Sequence, residues 1–202
     1  MFKNFLELAS HPTSIFALLG IAILLFALFR IKKIQLTPKL ITHMGLMISL
    51  AFILHQIRIY HMPQGGSITL GSMVPLLFLA FCYGPGIGFL AGFLYGVINL
   101  LFNPYILHPV QVLFDYPLPY MAIGLAGYFP NRLFLGTTLA IIGRFICHFI
   151  SGIVFFASYA PEGTSPYFYA FIFNASYLFP ELIITLILLK LLPLKNLMQK
   201  AK

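Results

Sequence analysis

Apolar stretches of bilayer-spanning length recur along the whole chain, at about residues 13–30, 40–60, 68–83, 86–102, 116–129, 133–157 and 168–192. A transmembrane helix needs roughly 20 largely apolar residues, so 202 residues hold seven such spans only with short connections. The fifth is the weakest, because it is short and contains Pro117 and Pro119. Charge is too scarce to clothe a water-soluble surface: 8% of residues are charged, where a soluble domain carries roughly 25%. This excludes a soluble globular domain and a disordered chain. No repeat, low-complexity tract or linker interrupts the pattern, which reads as a single all-α integral membrane domain.

The positive balance of 12 Lys and Arg over 4 Asp and Glu suggests a nucleic-acid partner until the charges are placed. Arg30, Lys32, Lys33 and Lys39 fall between the first and second segments, Arg132 between the fifth and sixth, and Lys190, Lys195, Lys200 and Lys202 at the C-terminus. Seven spans put all three groups on one side, with only Lys3 and Arg58 near the other. Lys and Arg collect on the cytoplasmic side of membrane proteins. The expected orientation therefore has the N-terminus outside and the C-terminus in the cytoplasm, and no nucleic acid is called for. The first segment does not read as a cleavable signal, because its basic cluster follows the apolar stretch and no small-residue cleavage site comes after it. Cys82 and Cys147 lie in apolar runs without metal or disulfide spacing.

Acids are the scarcest resource, so each can be weighed. Glu7 and Glu162 read as solvated charges. Glu181 follows Pro180 inside the last segment, where an ionisable group needs a partner or a cavity. Arg144 is the candidate partner. Asp115 lies in a stretch broken by Pro104, Pro109, Pro117 and Pro119 and rich in Tyr105, His108, Gln111, Tyr116 and Tyr120. Irregular backbone at membrane depth is tolerated where it is buried in protein or lines a cavity. A carboxylate among aromatic rings holds a cation by charge and by cation–π attraction. The competing reading is a loop packed by interfacial tyrosines.

Arg144 and His148 are spaced i, i+4 and share one helix face, with Phe155 and Phe156 further along. Tyr169 and Asn174 open the last segment, and a buried amide must find partners. Under one topology Asp115, His148, Tyr169 and Asn174 all fall toward the outer side, as in a pocket that opens outward. Gly45 and Ser49 form a small-xxx-small pattern that lets another helix approach, in this chain or in a partner. Gly88, Gly92 and Gly96 share a face and read as tight packing; the lysine and hydroxyl residue of a phosphate loop are absent. No catalytic constellation, metal-ligand spacing or ATP-binding motif is present, so the expectation is a protein without enzyme activity or cofactor.

Three runs carry a resemblance: Met62 to Pro75, Tyr105 to Tyr116, and Gly143 to Phe156. Together with the Gly-rich third helix they resemble the thiamine-specific S components, the substrate-binding subunits of energy-coupling factor (ECF) transporters, over about residues 40–192. The resemblance implies a six-helix bundle at 40–202 that binds its vitamin near the outer surface, preceded here by an extra N-terminal helix and basic loop at 1–39. It implies that Asp115 faces the cationic ligand, with Tyr116, Tyr105, His148, Phe156, Tyr169 and Asn174 lining the site. It further implies a lid near 61–67 that includes Gln64, Gly65, Gly66 and Ser67. Gly45 and Ser49 match a face that docks on an energising module of one transmembrane T subunit and two ATPases, which hydrolyse the ATP. The expected place is the plasma membrane of a bacterium.

The chain departs from the family pattern at several points. It has no tryptophan, and Phe156 stands where a stacking tryptophan is expected. Asp115 replaces a Glu. A thiamine precursor such as hydroxymethylpyrimidine lacks the cationic ring and does not need that carboxylate in the same way. The other alternative is a solitary proton-coupled vitamin transporter, with Glu181 and Arg144 as a relay.

Overall fold

The computed structural model describes Ile15, residues 20–22 and residues 34–201. Most of the segment expected at 13–30, together with Lys3 and Glu7, lies outside the described residues. Gly20 is helical and buried, with the Phe114 and Leu118 side chains where its Cβ would stand.

Helix α1 (Pro38–Gln56) starts where Thr37 caps it, its hydroxyl accepting from Leu40 N, and where Pro38 fits the first turn. Its buried stripe is Met44, Ile48, Ala51 and His55. The chain then leaves the helix for an antiparallel hairpin, β1 (Arg58–His61) and β2 (Ser67–Thr69). Gly65 and Gly66 turn it at φ 90° and 85°, values that favour glycine. Helix α2 (Val74–Tyr83) and helix α3 (Pro85–Phe102) follow, hinged at Gly84. Two short helices, α4 (Pro109–Asp115) and α5 (Pro117–Met121), lead into a 3-10 helix, Ala122–Tyr128. The long helices α6 (Leu133–Phe155) and α7 (Pro166–Leu191) come next, and α8 (Leu194–Ala201) ends the described chain.

The all-α expectation is thus corrected by a small hairpin, and two of the seven expected spans are not continuous helices. Among the described residues, α1, α3, α6 and α7 are long and apolar enough to cross a membrane. The ten residues of α2 reach about 15 Å at ~1.5 Å each, half of a ~30 Å hydrocarbon core. Segment 116–129 is five α-helical and seven 3-10 residues, about 21 Å at ~1.5 and ~2.0 Å each. Its length falls short because Pro117 and Pro119 cannot donate to a preceding turn.

That irregular segment sits in the middle of the bundle because α3 offers it a glycine face. A Cβ on Gly96 would lie 2.5 Å from the Tyr116 carbonyl oxygen, and one on Gly88 would lie 2.6 Å from Gly124 Cα. One on Gly92 would overlap the Tyr120 carbonyl. The expected glycine packing is therefore present, and it fixes the backbone that carries Asp115 through Tyr120. Gly45 and Ser49 are exposed on the flank of α1 beside its buried stripe, and a Cβ on Gly45 would meet nothing within 4 Å. Packing within the described bundle does not explain the small-residue pattern.

Candidate functional site

One end of the bundle brings together the hairpin, the 103–108 loop, the C-terminus of α6 and the N-terminus of α7. Between them lies a cavity of about 900 Å³ of empty space, its open mouth included. All seven residues expected to contact a ligand line it, from Tyr105, Asp115 and Tyr116 to His148, Phe156, Tyr169 and Asn174. So do the four expected lid residues, Gln64 to Ser67.

Asp115 is the last residue of α4. His108 caps that helix, its Nδ1 accepting from Val110 N at 3.1 Å, and Pro109 sets the first turn. One carboxylate oxygen lies 3.2 Å from His148 Nδ1, and the other accepts from Gln111 Nε2 at 2.5 Å. The Asp115 and His148 side chains keep 17% and 11% of their exposure, so the pair is sheltered yet reachable from the cavity. Gln111 also donates to the Tyr105 carbonyl and accepts from Leu107 N, which ties the 103–108 loop to the helix.

Aromatic rings surround the charge. Tyr105 and Phe156 stack at 5.8 Å with a 23° interplanar angle, and Tyr159 approaches Phe156 at 5.5 Å. The hydroxyls of Tyr105 and Tyr159 are 3.0 Å apart. That hydrogen bond, with some burial, holds the Tyr105 phenol above its ordinary pKa, so it remains neutral. Two expected ligand contacts prove partly committed elsewhere. The Tyr116 hydroxyl accepts from Tyr105 N and donates to the Asn103 carbonyl. The Asn174 amide donates to the Ala170 carbonyl and accepts from the Tyr177 hydroxyl.

Arg144, His148, Gly152 and Phe156 all line the cavity at four-residue intervals, so one stripe of α6 forms a wall. Gly152 is needed there because a Cβ would lie 2.8 Å from Ala170 Cβ on α7. The hairpin closes the opposite wall and is tied at both strands. Arg58 donates to Asn103 Oδ1, and His61 Nδ1 lies 2.9 Å from Ser67 Oγ. On β2, Glu181 of α7 accepts from Thr69 N at 2.6 Å and Thr69 Oγ1 at 2.7 Å, with Ser72 Oγ at 3.5 Å. The expected pairing of Glu181 with Arg144 is therefore not formed: the hairpin backbone takes the carboxylate. The Arg144 guanidinium lies 4.7 Å from the centroid of the Tyr120 ring and donates to its hydroxyl at 3.4 Å. Arg58, Gln111, Gly152 and Tyr177 also line the cavity; the sequence marked Arg58 only as an outer charge and Gln111 only as a polar neighbour of Asp115, and none of the four as a ligand contact. The spacing of Gln111 to Asp115, and of Gly152 between His148 and Phe156, is the signal that would have found two of them.

Fold and site together define a helical membrane protein with a carboxylate-bearing, aromatic-lined ligand pocket under a hairpin. The profile of the thiamine transporter protein family (Thia_YuaJ) matches residues 41–201. The chain is 36% identical to the thiamine transporter ThiT of Bacillus subtilis (strain 168), over 65% of this chain and 77% of that protein. It is 26% identical to ThiT of Lacticaseibacillus paracasei, over 60% of this chain and 70% of the relative. A solved structure of ThiT from Listeria monocytogenes superposes with a TM-score of 0.69 at 22% identity, covering 77% of this chain and 92% of that one. The chain belongs to the thiamine transporter protein family.

Proposed function

We propose that the chain is the substrate-binding S component of an ECF transporter that captures thiamine. The observation that carries this reading is Asp115, a carboxylate held by His148 and Gln111 and facing an aromatic cavity. Thiamine presents a cationic thiazolium ring, which suits that charge, and flat rings, which suit Tyr105 and Phe156. Tyr116, Tyr169 and Asn174 complete the walls, and Gln64, Gly65, Gly66 and Ser67 form the lid. The ligand enters from outside. The bundle at 40–202 binds it, and the N-terminal segment at 1–39 adds one transmembrane helix ahead of that bundle.

The exposed Gly45 and Ser49 face supports docking on an energising module, a T subunit with two ATPases that hydrolyse the ATP. The Lys and Arg distribution supports a cytoplasmic C-terminus and an external N-terminus in a bacterial plasma membrane. Calorimetry on purified protein tests the ligand: thiamine binds tightly and hydroxymethylpyrimidine at least a hundredfold more weakly. Equal affinities would leave the cationic ring without a role. Reconstituted uptake that requires the ATPases tests the coupling; uptake driven by a proton gradient without them would refute it.

A further inference from the structure

Helix α6 ends at the vitamin cavity and begins, at Leu133, beside a second, open cleft of about 500 Å³ of empty space, its mouth included. The cleft lies where α7 stops. Leu192 is extended at φ −76° and ψ 140°, and Pro193 supplies no N–H to carry the helix on. The chain turns there into α8. That helix lays Leu194 into the bundle core with Met198 packed beside it one turn on, and it leaves Asn196 and Gln199 exposed. It is therefore amphipathic, as helices lying in a membrane interface are. Leu133, Leu189, Leu192 and Leu194 form the apolar wall of the cleft, and Lys190 and Asn196 are its polar groups. Leu192 is 41% exposed, so part of that wall is uncovered.

Charge and depth say what covers it. The 26 residues of α7 reach about 39 Å at ~1.5 Å each, beyond the ~30 Å of a hydrocarbon core. The last turn, with Lys190, therefore stands in the headgroup layer, and the Lys and Arg distribution makes that layer the cytoplasmic one. Neither 129–136 nor 182–202 contains an acid, whereas together they hold Arg132, Lys190, Lys195, Lys200 and Lys202. Lys190 forms no ion pair among the described residues. The protein thus supplies cations and an apolar wall, and the anion must come from outside it. The chain's own stretch at 30–33 is basic and has the wrong charge for the cleft. The small-residue face proposed for docking is on α1, which contributes nothing to the cleft. We infer that the cleft binds one anionic phospholipid of the cytoplasmic leaflet. The headgroup phosphate pairs with the Lys190 ammonium and accepts from Asn196 Nδ2. The start of an acyl chain lies on Leu133, Leu189 and Leu192 and runs on into the bilayer. The bound lipid ties the end of α7 to α8.

Lysines near an anionic surface are attracted to it without any site, so the test separates the cleft from diffuse charge. The full-length protein is placed in nanodiscs of phosphatidylcholine, alone or with graded amounts of phosphatidylglycerol, and its thermal midpoint is measured. Phosphatidylglycerol raises the wild-type midpoint by about 3 °C, and the rise grows with its fraction. Lys190→Gln, Asn196→Leu and Leu133→Trp each lose at least half of that rise. Two of the three leave the net charge unchanged, and Leu133→Trp fills the cleft. Lys39→Gln removes a charge on the same side of the membrane and keeps the rise. Comparing the two lipid compositions within one variant cancels what the substitution does to the bare fold, including the loss of a cation from the C-terminal end of α7. Where Leu133→Trp fails to fold, Asn196→Leu, at an exposed position, carries the same comparison. The site would be overturned by the absence of any rise in the wild type. It would equally be overturned by a rise that stays whole in Asn196→Leu and Leu133→Trp and falls alike in Lys190→Gln and Lys39→Gln. A midpoint raised by the energising module and not by the lipid would overturn it too, and would give the cleft to a protein partner. The readout needs no thiamine, so it stands or falls apart from the vitamin assignment.

Discussion

Replacing Asp115 by Asn tests the charge while keeping the side chain's size. A unit cation about 4 Å from a carboxylate gains about 4 kcal/mol at an effective dielectric of ~20. The thiazolium charge is spread over a ring and the Asp115 side chain keeps 17% of its exposure, so about half survives screening, ~2 kcal/mol. That corresponds to about thirtyfold in Kd. The substitution also replaces an acceptor of the Gln111 amide and His148 Nδ1 by an amide with one acceptor oxygen. Part of any loss therefore reflects rearrangement of the pair. A neutral ligand separates the two contributions: hydroxymethylpyrimidine feels the rearrangement but not the lost charge. Calorimetry on Asp115→Asn is expected to show thiamine weakened about thirtyfold and hydroxymethylpyrimidine changed less than threefold. Thiamine affinity within threefold of wild type would remove Asp115 from the electrostatics of the site, and equal losses for both ligands would reassign it to positioning.

Three further substitutions follow from the geometry. Gly92→Ala forces a methyl against the Tyr120 carbonyl, with Met121 Cα at 2.9 Å; the expected loss is about 1–3 kcal/mol, read as a lowered thermal midpoint and weakened thiamine binding. Glu181→Gln leaves one acceptor oxygen for the hydrogen bonds from Thr69 N and Thr69 Oγ1. Loosening the hairpin anchor by ~1–3 kcal/mol should speed thiamine dissociation in stopped flow about tenfold, and an unchanged off-rate would show that the anchor does not govern the lid. Gly45→Trp fills a face that meets nothing within 4 Å; thiamine binding should be unchanged while reconstituted uptake is lost, and surviving uptake would move the docking surface elsewhere.

The long helices and the glycine face of α3 were legible because both depend on local periodicity. The pocket was legible where i, i+4 spacing or family motifs marked it, as at Arg144, His148 and Asp115. The hairpin was not: Ile59 and Ile68 read as continuations of apolar spans, and the residue that anchors β2, Glu181, is 112 positions from Thr69. For the same reason Glu181 was matched with Arg144. Depth alone pairs an acid with the only base nearby, whereas the chain places an unpaired backbone N–H there first. The brevity of segment 116–129 was foreshadowed by its prolines, but its 3-10 ending depends on how close Gly88, Gly92 and Gly96 let it come.

The two stretches that fail to form spanning helices, 57–73 and 103–128, are also the two that build most of the site. Backbone that leaves the helix at this depth must be satisfied by protein, and in so apolar a chain only a few side chains can do it. Glu181 serves the hairpin; Gln111 and Tyr116 serve the 103–108 loop. Each binds irregular backbone at or beside the cavity wall, so the groups that make the fold possible also hold the ligand-facing residues still. Gln111 does both through one amide nitrogen, which donates to the Tyr105 carbonyl and to Asp115. A polar residue in this chain is thus rarely a contact or a support alone. Arg144, whose Nε supports no backbone and which pairs with no acid within 4 Å among the described residues, is one of the few buried polar groups that this division of labour does not explain.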